Sequence, residues 1–238
     1  MRDFVADVGN SRIKVGCCSP AGLTDTALLP LDDANVWNSS LHTEPARWTL
    51  AGSSPEARDR LADWLRARGH AVQLIAQASQ IPIEVMVDAP EKVGIDRLLN
   101  ALAARTPGRP VIIVNAGSAV TVDLVDKTGA FRGGAIMPGY RLMAKALNDY
   151  TARLPLVEGF AGDVPLPARD TITAMMAGIG HSVHGGIERM VRELCEKFDN
   201  PRILVAGGDA ELLDDLGFTF ELTGPFLTLE GLRRVVCG

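Results

Sequence analysis

Two stretches of the chain repeat one pattern 108 positions apart: Phe4-Val5-Ala6-Asp7-Val8-Gly9-Asn10-Ser11 and Ile112-Ile113-Val114-Asn115-Ala116-Gly117-Ser118-Ala119. In both, an apolar strand ends in Asp or Asn, skips one residue and turns at a glycine into small residues. The offset is nearly half of the 238 residues, so the chain reads as two similar halves. Halves of this kind, facing each other, bring two such turns to one cleft.

The remaining patterning is that of an α/β chain. Phe4 to Ala6 and Ile13 to Cys17 are strand-length apolar runs separated by Gly9 and Asn10, which predicts an opening hairpin. Ser54-Pro55-Glu56 starts an amphipathic helix that runs to Arg68, with Leu61, Trp64 and Leu65 at helical spacing. A strand at Ala71 to Ala76 and a helix at Asp96 to Ala104 follow. Thr106-Pro107-Gly108-Arg109-Pro110 punctuates the chain as a linker does, which places the domain boundary there and gives domains 1–107 and 108–238. The second half reads as a buried strand at Val111 to Val114 and a hairpin through Asp126 to Gly129 into Phe131 to Ile136. Helices at Arg141 to Tyr150 and Thr171 to Phe198 and a buried strand at Arg202 to Ala206 complete it. Gly178, Gly180, Gly185 and Gly186 are expected to mark close packing of the long helix.

Composition narrows the function. At 47% hydrophobic and 22% charged residues the chain is of globular type. A formal net charge of -5 argues against a duplex nucleic-acid partner, which calls for a basic surface to displace phosphate counterions. Small-molecule chemistry is what remains. The opening MRDFVADVGN holds no apolar stretch of signal or membrane length, so the expected location is the cytoplasm, with no membrane partner. Cys17, Cys18, Cys195 and Cys237 form no C-x-x-C pair and read as reduced thiols. His181, His184 and Glu188 share helical spacing, but they match no metal motif and read as packing.

A glycine followed by Asn or Ser lets backbone N–H groups approach an anion closely, and the hydroxyl adds a donor. Lys14 returns on the next strand toward the same place, and the Asp7 carboxylate suits Mg2+, directly or through water. An ordinary hairpin turn is the better account of one copy alone; the second copy shifts the balance toward phosphate binding. Gly94-Ile95-Asp96-Arg97 sets an acid and a base at a helix start. On spacing alone it is either a dipole partner beside a solvated arginine or a general base beside an anion clamp.

Asp7-x-Gly9-Asn10-Ser11-x-x-Lys14 resembles the first phosphate motif of the type III pantothenate kinases. Gly94-Ile95-Asp96-Arg97 is similar to their substrate motif, and Asn115-x-Gly117-Ser118-Ala119-x-Thr121-x-Asp123 to their second phosphate motif. Gly133-Gly134-x-Ile136-x-Pro138-Gly139, Leu154-Pro155, Thr171 with Ala174 and Gly178, Gly207-Gly208-Asp209 and Leu227-Thr228-Leu229-Glu230-Gly231-Leu232 continue the likeness in order along the chain.

The resemblance implies an actin-like fold of two ribonuclease-H-like domains with a cleft between them. It also implies a homodimer, and transfer of the ATP γ-phosphate to the primary hydroxyl of pantothenate at the opening of coenzyme A synthesis. By that analogy Asp7, Val8, Gly9, Asn10, Ser11, Arg12, Ile13 and Lys14 cradle ATP together with Gly117, Ser118, Gly207 and Gly208. Asp96 is then the proton acceptor, and Gly94, Ile95, Asp96, Arg97 and Thr171 hold pantothenate. Asp7 serves Mg2+, and Asn115 occupies the place of the ligand to a monovalent cation (K+ or NH4+), where the family usually has Asp. Asn115 keeps a carbonyl oxygen but lacks the charge, and Asp123 is the nearby carboxylate able to supply it. Ser11 and Ser118 replace the usual threonines and keep the hydroxyl. A nucleotide-binding regulatory paralogue, or an actin-like kinase or phosphatase of another substrate, shares the two turns.

Overall fold

The computed structural model describes residues 2–19, 21–41, 44–160, 164, 166–213 and 216–237. The chain forms two compact units, one of Met1–Arg105, Gly129–Phe131 and Phe226–Gly238, the other of Thr106–Thr128 and Arg132–Pro225.

The first unit is built on a five-stranded sheet of β1 (Asp3–Val8), β2 (Ile13–Ser19), β3 (Gly22–Leu29), β4 (Arg47–Gly52) and β5 (Ala71–Leu74), in the order β3-β2-β1-β4-β5. The expected hairpin of β1 and β2 is present and antiparallel, while β4 joins β1 in parallel. Alternation along β1 sends Phe4, Ala6 and Val8 into one apolar core with Leu61 and Leu65 of α2 (Pro55–Arg66) and Trp37 of α1 (Ala34–Ser40). Val5 and Asp7 therefore point to the opposite face. α3 (Ile95–Ala104) and a helix formed by Leu227–Cys237 pack together in the same unit. A Cβ on Gly231 would come within 2.2 Å of the Leu99 carbonyl oxygen, so only glycine permits that approach.

The second sheet holds β6 (Val111–Ala116), β7 (Ala119–Val125), β8 (Phe131–Pro138), β9 (Arg202–Ala206) and β10 (Glu221–Leu222), in the order β10-β9-β6-β7-β8. Read from β8, this is the first sheet again. A hairpin pairs β6 with β7, and β9 lies parallel to β6 as β4 does to β1. The sequence repeat is thus the central strand and turn of a duplicated topology. Ile112, Val114 and Ala116 meet Tyr140 and Ala144 of α4 (Tyr140–Asp149) and Ile179, Val183 and Ile187 of α5 (Thr171–Lys197). The last helix, α6 (Leu227–Cys237), closes the element order.

The chain leaves the first unit after Arg105 and, Gly129–Phe131 aside, returns to it at Phe226, where α6 packs on α3. The expectation for the glycines of α5 needs amendment. Of the four glycines in α5, a Cβ on Gly186 would meet Met137 at 3.1 Å, whereas Gly178, Gly180 and Gly185 face open space among the described residues.

Candidate functional site

In the first unit the β1–β2 turn is closed by Gly9 N–H donating to the Arg12 carbonyl at 3.0 Å, which leaves Asn10 and Ser11 at an exposed tip. Strand register sets Asp7 directly opposite Lys14, and Lys14 Nζ stands 3.5 Å from Asp7 Oδ2. Asp7 is buried, and burial pushes its carboxyl above the ordinary carboxylate value; the nearby Asp96 pushes the same way, while Lys14 and a hydrogen bond with Thr228 act against it.

Asp96 occupies the first turn of α3, behind the Gly94 N-cap, where the helix dipole favours negative charge. A Cβ on Gly94 would lie 2.7 Å from Asp96 Oδ1, so glycine leaves the carboxylate its room. Ile95, Asp96 and Arg97 are all half-buried, and the Arg97 guanidinium sits 5.5 Å from the Phe131 ring centre. Within the first unit Asp7 thus has the Lys14 cation across the hairpin and the Asp96 charge nearby, with Arg97 next to Asp96 in sequence.

The second unit repeats the arrangement with different side chains. Asn115 faces Thr121 across β6 and β7, and Asp123 faces Ile113, so Asn115, Thr121 and Asp123 share one side of the sheet. Thr121 Oγ1 is buried without a hydrogen-bond partner. Asp123 is buried too, and Gly134 makes space for it, since a Cβ there would lie 2.6 Å from Asp123 Oδ1. Around the Gly117–Ala119 turn three backbone segments converge. Gly139, the N-cap of α4, donates to the Ser118 carbonyl at 3.0 Å, and a Cβ on it would strike the Gly117 oxygen at 2.2 Å. Gly207, at the end of β9, takes φ +106 and passes so close to Ala116 that a Cβ would lie 2.0 Å from its oxygen. Asp209 N–H donates to the same Ala116 oxygen at 3.1 Å, and its carboxylate pairs with Arg141 Nη2 at 2.5 Å. Gly208 is open.

Thr171 is the first residue of α5 and is exposed, behind the Asp170 N-cap, whose Oδ1 accepts from Thr173 N–H at 3.0 Å. It lines an apolar groove of about 830 Å3 between α4 and α5, with Leu142, Met143, Met175 and Gly178. His184 packs edge-on against Tyr140 with Nε2 3.0 Å from the Leu212 oxygen. No group of three or more His, Cys, Asp or Glu side chains is arranged to hold a metal among the described residues. No helix among them is long and apolar enough to cross a membrane.

Gly52 and Asn100 carried no sequence signal strong enough to find them, and Thr228 entered only within the Leu227–Leu232 likeness. Gly52 ends β4 as Gly207 ends β9, and a Cβ on it would lie 2.3 Å from the Val8 oxygen. Asn100 and Thr228 are buried polar residues of α3 and α6. The available clue was a polar side chain standing in each otherwise apolar helix stripe.

The sequence model of the type III pantothenate kinase family matches residues 4–193. The type III pantothenate kinase of Aromatoleum aromaticum is 34% identical over 239 residues, covering 98% of this chain and 96% of the relative. That of Listeria welshimeri is 36% identical over 153 residues, covering 63% of this chain; the match spans only 59% of that relative's length. Among solved structures, a Baf-family protein from Campylobacter jejuni superposes with TM-score 0.66 at 16% identity, over 98% of this chain and 97% of that one. MreB5 of Spiroplasma citri bound to ADP superposes with TM-score 0.51 at 11% identity, over 98% and 95%. At such identities these two likenesses concern the fold alone. With its duplicated sheets in the two-domain α/β fold of actin-like ATPases, the chain belongs to the type III pantothenate kinase family.

Proposed function

We propose that the chain transfers the γ-phosphate of ATP to the primary hydroxyl of pantothenate, giving 4'-phosphopantothenate in the first step of coenzyme A biosynthesis. The observation that carries this reading is the buried Asp7 carboxylate, with the Lys14 cation across the hairpin and the Asp96 charge nearby on a helix start. Family membership supplies the substrate class. Asp96 accepts the hydroxyl proton as the new O–P bond forms, ADP departs with the electrons of the broken P–O bond, and Lys14 opposes the charge spread over the transferred group. The turn from Val8 to Ile13 and the Gly117–Ser118 turn, flanked by Gly207 and Gly208, offer backbone donors to the phosphates. Gly94, Ile95, Arg97 and Thr171 hold pantothenate, with Arg97 on its carboxylate.

The oxygen-rich side chains fit the expected cations. Asp7 suits a hydrated Mg2+, which neutralises charge on the nucleotide phosphates when bound. Asn115 Oδ1, the unpartnered Thr121 Oγ1 and Asp123 form a set of hard donors on one sheet face, suited to K+ or NH4+. We also place the enzyme in the cytoplasm as a homodimer. Its interface is the α4–α5 groove, where Leu142, Tyr150 and Ile172 are exposed and Gly178 is uncovered.

A coupled assay with ATP, Mg2+, K+ and pantothenate, with mass identification of the product, tests the reaction. Pantothenate-dependent ADP release with a phosphorylated product supports it. Tight ATP binding without any transfer would leave a nucleotide-binding paralogue instead. Sedimentation at twice the chain mass tests the dimer, and a monomer that still turns over would remove it.

A further inference from the structure

Arg97 is the third residue of α3, and helix stability does not explain a cation there. Positive charge in the first turn opposes the positive end of the helix dipole, and Arg97 is half-buried as well. What faces it is an aromatic ring. Arg97 Cζ lies over the Phe131 ring, 5.5 Å from its centre, within the distance at which a ring face attracts a cation. Phe131 is fully buried and belongs to the same unit as α3. The ring is held firmly. Phe131 N–H donates to the Glu84 carbonyl at 2.8 Å and its carbonyl accepts from Met86 N–H at 2.9 Å, a short parallel pairing centred on Val85. The same stretch is tied to α3, because Arg105, the C-cap of that helix, donates from Nη1 to the Pro82 carbonyl at 3.1 Å. The helix that carries Arg97 thus also anchors the segment that seats the ring.

We propose that Phe131 is a positioning residue for Arg97, its ring face holding the guanidinium in the orientation that meets the pantothenate carboxylate. The inference rests on the reading of Arg97 as the carboxylate clamp. A ring face attracts the cation without consuming an N–H donor, and bidentate recognition of a carboxylate needs two of them. Guanidinium is also the cation suited to this arrangement, being planar, weakly hydrated and able to sit against an aromatic face while its edge binds an anion. Leucine would meet the need for apolar volume at position 131 equally well. Only an aromatic side chain adds a negative face directed at Arg97.

The test replaces Phe131 by mono-, di- and trifluorophenylalanine, which weaken the negative ring face stepwise at nearly constant shape. Pantothenate affinity, measured by calorimetry, should fall with each added fluorine, by about twofold to thirtyfold over the series, the range spanned by cation–ring attractions. Pantothenyl alcohol, with a hydroxymethyl group in place of the carboxylate, should bind the whole series alike. MgADP affinity should stay at the parent value, because no residue of the phosphate turns is touched. A ring that only fills space predicts no dependence on fluorine at all. Pantothenate affinity flat across the series, or pantothenyl alcohol affinity falling in parallel, overturns the proposal and leaves the proposed function standing. A graded response in a parent that transfers no phosphate sinks the proposed reaction and leaves Phe131 in its role. A parent that does not bind pantothenate ends both.

Discussion

Asp7 and Lys14 are register partners across the first hairpin, and their charges meet at 3.5 Å with Asp7 buried and the lysine side chain 21% exposed. One group is held where water cannot easily screen it, while the other keeps access to the phosphate turn. Lys14→Ala is therefore expected to lower turnover by about 10²- to 10³-fold, the range seen when one charge-stabilising donor is removed, and to weaken ATP binding as well. Initial rates and calorimetry on the same variant check this. Neither quantity changing would make the hairpin merely structural.

Asp7→Asn separates stability from activity. Because the folded-state carboxyl lies above its ordinary 3.8, the native state holds its proton longer than the unfolded chain does. Stability is then lost as pH rises from 3.8 through the raised native value, and stays at the reduced level above it. Asparagine carries no charge to desolvate, so Asp7→Asn should melt higher than the parent at pH 7. The gain should vanish below that window while phosphotransfer is lost. Melting curves from pH 3.5 to 8 give the answer, and a variant less stable than the parent at pH 7 contradicts it.

Asp96→Asn preserves shape and the N-terminal position on α3 but not the base. Turnover should fall by about 10² to 10⁴ with ATP affinity within a few-fold of the parent. Single-turnover rates beside nucleotide titration distinguish this from a binding defect. Equal turnover would remove Asp96 from the chemistry.

Asn115→Asp adds charge on the sheet face that already carries Asp123. A charge pair about 4 Å apart is worth roughly 4 kcal/mol at an effective dielectric of about 20, less the desolvation of the new carboxylate. A net gain of about 1–2 kcal/mol corresponds to a five- to thirtyfold lower half-saturating K+. K+ titrations at constant ionic strength compare the two proteins, and superimposable curves would show that Asn115 does not set the cation site.

The repeat made the centre of each sheet legible, because a buried strand ending in a glycine turn is a local pattern. The helices at Pro55, Ile95, Tyr140 and Thr171 were legible for the same reason, and their observed starts lie within one residue of the expected ones. β3 and β4 carried no such signature. β3 is an edge strand with Thr24, Asp25 and Thr26 exposed, and β4 is six residues long and depends on β1 for its partner. At the site, Asp7 and Lys14 could be paired from sequence because one hairpin holds them. The Arg97–Phe131 contact could not, because no local pattern joins a helix start to the first residue of a later strand.

The placement of α6 carries a consequence for how the protein comes into being on the ribosome. β1 and α3 are synthesised early, yet the helix that covers them emerges only after every residue of the second unit. At about 5–20 residues per second, the interval between Arg105 and Phe226 is roughly 6–24 s. For that time the apolar face of α3 waits without its mate, and Asn100 without Thr228. The second unit, Gly129–Phe131 aside, is one uninterrupted stretch and has no such delay. Translation order therefore makes the later half of the gene the first to complete a fold, and exposes the earlier half to chaperones and proteases until residues 227–237 arrive.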